Sequence, residues 1–157
     1  MRARHRLRSA VNWVNLSTPA GLLVARLGAG RPRRARAGLW LVHDYHLPVP
    51  PAPAFALGSV ILLRAPLPGP GRDPVGSVPR RLLDHEERHT TQYAWCGGVL
   101  MPPTYLVASS WSWVRTGDFA SRNIFERRAG LADGGYTERP VRGLWSDHPE
   151  ATSSRSH

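Results

Sequence analysis

One short segment constrains this chain more than any other. Leu82, His85, His89, Tyr93 and Cys96 recur at three- and four-residue spacing, the stripe of a single α-helix. Inside that stripe, His85-Glu86-Glu87-Arg88-His89 matches H-E-x-x-H. Two histidines four residues apart share a helix face, one turn from each other. Their neutral imidazoles can chelate one divalent ion. Glu86 lies about 100° round the helix from His85, within reach of a water on the metal and without ligating the ion itself. The helix is marked independently of the motif. Ser77 is a cap with Pro79 in the first turn, and Gly97-Gly98 is the stop.

A two-histidine site is incomplete, because catalytic zinc takes three protein ligands and a water. The downstream candidates are Asp118, Glu126, Asp133 and His148. Glu126 is best placed, 37 residues after His89 in a third helical segment that a hairpin can fold back against the first. Asn123-x-x-Glu126 also reads as a helix cap with its N3 glutamate, so ligand and cap remain alternatives for Glu126. Asp118 is the fallback, at a helix start where a cap is the competing role. Gln92 extends the histidine face and could support a ligand. His43 and His46 flank a strand end, where alternation sends their side chains to opposite faces. The single cysteine, Cys96, excludes a disulfide framework and any multi-cysteine zinc or iron–sulfur site. It reads as a small core residue.

The 157 residues suit one domain. The expected fold class is α+β, a small antiparallel hairpin or sheet packed on a three-helix core that carries the H-E-x-x-H helix. Residues 39–45 and 55–63 read as antiparallel strands joined by a proline-rich connection. The strand over 55–63 could offer an edge to an extended peptide. Residues 65–79 form a loop, and helices follow over 104–114 and from 118 or 121 to 131.

Residues 90–114 carry no charge. Gly97-Gly98 and Pro102-Pro103 interrupt them, which favours a buried core hairpin over a membrane span, with an interfacial helix anchored by tryptophan as the alternative.

The net charge of +10 is unevenly spread. All 21 basic residues are arginine, a coding bias of a GC-rich, bacterial genome. Nine fall within the first 36 residues, which hold no Asp or Glu, while the remainder balances 12 Arg against 11 acids. The expected organisation is therefore a basic N-terminal arm (1–37), a domain (38–142) and a polar tail (143–157). The arm reads as a solvated or loosely docked extension, dispensable for metal binding. It could also contact anionic membrane surfaces or nucleic acid through phosphate attraction. No secretory signal is readable, so the expected location is the cytoplasm, peripheral to a membrane if the arm engages lipid.

The ligand set His85, His89 and Glu126 resembles the gluzincin branch of zinc metallopeptidases. More narrowly, residues 84–93 (DHEERHTTQY), 102–106 (PPTYL) and 122–136 (RNIFERRAGLADGGY) are similar to a family of small bacterial zincin-like proteins. That family's pattern is H-E-x-x-H-x-x-Q, an apolar helix, then N-x-F-E-x-x-A, and the similarity covers residues 39–142. It implies Zn²⁺ held by His85, His89 and Glu126, with Glu86 as general base and a peptide or protein as substrate. Two departures are Ile124, where the pattern has proline, and the lack of the large second domain that walls the cleft of full-size gluzincins. Hydrolysis also needs an oxyanion donor. Tyr136, after Gly134-Gly135, is the candidate, with packing or loop anchoring as its alternative. Three functions stay open: a zinc-dependent hydrolase, a zinc site that only clamps helices, and a membrane- or nucleic-acid-associated protein acting through the arginines.

Overall fold

The computed structural model of the chain describes residues 3–48, 50, 52–66, 76 and 78–142. Among these residues it is a mixed α+β fold of five helices and one four-stranded sheet. The helices are α1 (Ala3–Val14), α2 (Ser17–Leu27), α3 (Arg80–Trp95), α4 (Met101–Thr116) and α5 (Ile124–Ala129). The strands are β1 (Arg31–Arg34), β2 (Trp40–His43), β3 (Ala54–Leu57) and β4 (Val60–Leu63), in the order β1-β2-β4-β3.

β4 explains the core. All four of its residues, Val60-Ile-Leu-Leu63, are buried. Ile61 and Leu63 join Leu39, Leu41, Ala54 and Leu83 on the face beneath α3. Val60 and Leu62 join Ala25, Val42 and Tyr45 on the face beneath α2. A strand covered on both faces needs a continuous apolar run, not an alternating one.

The expected antiparallel pairing of 39–45 with 55–63 is corrected. Residues 55–63 do not make one strand. Gly58, at φ +61°, and Ser59 form a two-residue turn with Leu57 opposite Val60, so β3 and β4 are themselves a hairpin. The reversal sends β4 back parallel to β2, with Leu41 opposite Ile61, and leaves β3 at the sheet edge facing α3.

The basic arm is also corrected. Most of residues 3–34 are two helices and a strand built into the fold. Arg8 is buried, donating to Glu87 at 2.8 Å and to the Ala37 carbonyl at 2.8 Å. Asn12 is fully buried and donates to the Thr90 carbonyl at 2.8 Å. Arg36 meets Asp84 at 2.9 Å. The acids that meet Arg8 and Arg36 lie on α3, 79 and 48 residues away in sequence, so a charge count within the segment could not see them.

The expectation of a buried hairpin over 90–114 fails for α4. Leu106, Val107, Trp111, Trp113 and Val114 are exposed. No helix among the described residues is long and apolar enough to cross a membrane. The helix over 118–131 shortens to α5, because Asp118 Oδ1 accepts from the Ala120 and Ser121 amides and fixes a turn ahead of it. The Ser77 cap, His148 and the tail 143–157 lie outside the described residues.

Candidate metal centre

α3 begins directly after Pro79 and runs sixteen residues without a glycine or proline. Its inward face carries Leu83, His85, Glu86, His89, Thr90 and Tyr93. The short α5 is started by Asn123, whose side chain accepts from the Phe125 amide at 2.9 Å and donates to Ser109 Oγ at 2.9 Å. That cap fixes Glu126 at the third helical position, facing α3. The two readings of Glu126 thus coincide, since it is the N3 residue of a capped helix and lies against both histidines.

The three donor groups converge. His85 Nε2 and His89 Nε2 are 3.1 Å apart. Glu126 brings Oε2 to 3.2 Å from His85 Nε2 and Oε1 to 3.4 Å from His89 Nε2. The edge of a tetrahedral zinc site, with bonds of roughly 2.05 Å, is about 3.3 Å. All three residues are buried, at 2% exposure for His85, 8% for His89 and 2% for Glu126. They are the one such group of three among the described residues.

The far side of each imidazole fixes its tautomer. His85 Nδ1 lies 3.0 Å from the Gly130 carbonyl and 3.2 Å from that of Ala129, both acceptors, so Nδ1 carries the proton. His89 Nδ1 lies 2.8 Å from Gln92 Oε1. Gln92 turns that oxygen towards the ring because its Nε2 donates to the Phe125 carbonyl at 2.9 Å. Both Nε2 atoms then present lone pairs to each other. Two facing lone pairs at hydrogen-bond distance repel unless a cation or a proton lies between them, and the donor set could hold a metal ion. Without one the site takes up a proton instead. Burial works against charge on His85, but Glu126 beside it raises its pKa. Burial likewise opposes charge on Glu126, and hydrogen bonds from His85 and His89 outweigh it, holding the carboxyl well below its usual range.

Glu86 stands beside this group without belonging to it. Its carboxyl is 4% exposed, accepts from the Ala56 amide on β3, and has one oxygen with no hydrogen-bond partner. Burial pushes its pKa up to about 7, against the pull of His89 and His85. Tyr136 lines the same cavity, its ring centroid 6.2 Å from that of His85. Burial, then the Glu126 charge, push its hydroxyl up to about 12. Tyr105 escaped the sequence reading. Its hydroxyl donates to Glu126 Oε1 at 2.5 Å, from the first turns of α4. The one signal was its place in the Pro-Pro-Thr-Tyr-Leu segment. Gly134 matters too, because a side chain there would meet the His85 ring.

The other candidates go elsewhere. Asp118 holds its turn, and Asp133 pairs with Arg88 at 2.8 Å. Buried His43 and exposed His46 enter no metal-binding group among the described residues.

The cavity holds about 300 Å³. β3 forms one wall, the start of α4 another, and His85, Glu86, His89 and Glu126 the floor. No family model, curated protein or solved structure matches the chain.

Proposed function

We propose that this chain is a zinc-dependent hydrolase with a zincin-like core, acting on a peptide or protein. The observation that carries the reading is the triangle of 3.1, 3.2 and 3.4 Å between two imidazoles of fixed tautomer and one carboxylate. Two His and one Glu make a donor set that suits zinc. A zinc ion held there would acidify water and polarise a carbonyl.

The chain's own residues supply the rest. Glu86, with an ordinary value moved up to about 7, can accept a proton at neutral pH and return it to a leaving amine. Its Ala56 hydrogen bond anchors the carboxyl against β3. Tyr105 orients Glu126. Tyr136, which lines the cavity with its ring 6.2 Å from that of His85, is the oxyanion donor in this reading. β3 is a sheet edge lining the cavity, which suits an extended main chain.

The near-complete burial of the ligands favours a second reading, a metal that only clamps α5 to α3. Glu86→Gln separates the two. In the hydrolase reading the variant keeps its zinc and loses cleavage of a fluorogenic peptide library by 100-fold or more, on the order of general-base effects. Unchanged cleavage removes Glu86 from the mechanism, and no cleavage by zinc-loaded wild type leaves only the clamp.

A further inference from the structure

α4 is built inside out. Its inward stripe is Met101, Ser109, Ser112 and Thr116, all buried. The hydroxyls are spent on the protein. Ser112 donates to the Asp118 carbonyl and accepts from the Arg122 amide, both at 2.7 Å. Thr116 donates to the Ser112 carbonyl at 2.8 Å, and Ser109 accepts from Asn123. Outward stand Leu106, Val107, Trp111, Trp113 and Val114, with Val107 at 72% and Trp111 at 59% exposure. Exposed Trp95, Val99 and Leu100 precede the helix in sequence, and exposed Phe119, stacked on Trp113, follows it. A helix in contact with water carries the opposite pattern.

The charges around this face name its occupant. No Asp or Glu occurs between Glu87 and Asp118. At the C-terminal end the Arg115 guanidinium lies over the Trp111 ring at 5.5 Å and that of Arg142 over Trp113 at 5.9 Å. An outer face of aliphatic and tryptophan side chains, with guanidiniums over two of the indole rings, is the profile of a segment lying at a lipid headgroup boundary. A parallel second copy would set Arg115 and Arg142 against their counterparts, and an antiparallel one would set them against a segment over 88–117 that supplies no acid. Sixteen residues span about 24 Å, short of a hydrocarbon core of roughly 30 Å. We propose that the outer face of α4 docks this protein on an anionic phospholipid bilayer, in the plane of the interface. Met101, Pro102, Tyr105 and Leu106 belong to α4 and also line the cavity, so the docked protein opens its cleft beside the membrane.

The test is flotation of the full chain with phosphatidylglycerol–phosphatidylcholine vesicles and with pure phosphatidylcholine vesicles. Wild type should float with the anionic vesicles. The triple variant Val107→Gln/Trp111→Gln/Val114→Gln changes only exposed side chains, and circular dichroism verifies its fold. It should lose roughly tenfold or more of the bound fraction, as buried apolar area sets such binding. Arg115→Gln/Arg142→Gln should lose the preference for anionic lipid. Arg4→Gln/Arg6→Gln, exposed on α1, should bind as wild type does. Wild type remaining with the soluble fraction overturns the proposal, and so does a triple variant that floats undiminished. A wild-type dimer that the triple variant dissociates, without vesicle binding, assigns the face to a second copy instead. None of these readouts involves metal, so failure here and failure of the hydrolase reading are distinguishable.

Discussion

Replacing Gly134 by alanine probes how closely the candidate metal site is held. A Cβ there would lie 2.6 Å from His85 Cε1, 2.8 Å from Nε2 and 3.0 Å from Nδ1. Ordinary contact begins near 3.4 Å, so the ring has to retreat by about 0.8 Å. It has nowhere to go without loss. Nδ1 is tethered to the carbonyls of Ala129 and Gly130, and Nε2 faces His89 and Glu126. Metal sites tolerate ligand displacements of about 0.2 Å. Disturbing the groups that orient a ligand costs about 10–100-fold in affinity, or about 1.4–2.7 kcal/mol. Gly134→Ala should therefore bind zinc that much more weakly in competition with a chromophoric chelator. Gly135→Ala is the control. Nothing lies within 4 Å of a Cβ there, but φ is +82°. Alanine at that position should cost about 1–2 kcal/mol of stability and leave zinc affinity unchanged. Wild-type affinity in Gly134→Ala would refute the claim that His85 is held in a ligating position by its surroundings.

Other outcomes follow from the same contacts. Asn123→Ala removes the cap of α5 and the partner of Ser109. It should lose about 1–2 kcal/mol in urea denaturation and also weaken zinc binding, because Glu126 rides on that helix turn. In metal-free protein, burial raises Glu86 from its ordinary 4.5 to about 7. Between those values Glu86 binds more protons in the folded state than in the unfolded one, so its contribution to stability is full below about 4.5 and is lost as pH rises to about 7. The loss is on the order of 3 kcal/mol, and Glu86→Gln should flatten it. A metal-free stability that rises over that window in wild type contradicts the buried position of Glu86. Arg8→Ala removes the buried partner of Glu87, which keeps His5 and Arg36 nearby, and should destabilise by about 3 kcal/mol, with deletion of residues 1–37 abolishing the fold by circular dichroism. A truncated chain that folds and binds zinc would restore the loosely docked arm.

The site was legible because its signals are local. H-E-x-x-H needs only a helix, and Asn123 with Glu126 needs only the next capped one, so His85, His89 and Glu126 could be named from spacing. Gln92 was visible as a continuation of the same face. Tyr105 was not, since its hydroxyl reaches Glu126 through a tertiary contact between α4 and α5 that no spacing encodes. The sheet was legible in composition and not in direction. Val60–Leu63 reads as a buried strand, but the Gly58-Ser59 turn that reverses the chain is only two residues long and was hidden inside an apolar run. The N-terminal helices were obscured by counting charge along the sequence, where Arg8 and Arg36 look unpaired. In space they meet Glu87 and Asp84. α4 misled for a different reason. Its apolar content implies burial in a protein core, whereas its hydroxyls face inward and its tryptophans outward.

The most direct measurement is the zinc content of purified wild type beside Glu126→Ala, each dialysed against excess zinc and then against buffer. Wild type should retain close to one zinc per chain, and the variant, left with two imidazoles, well under half of that. A zinc-free wild type, or a variant that keeps a full equivalent, would contradict a metal centre formed by His85, His89 and Glu126.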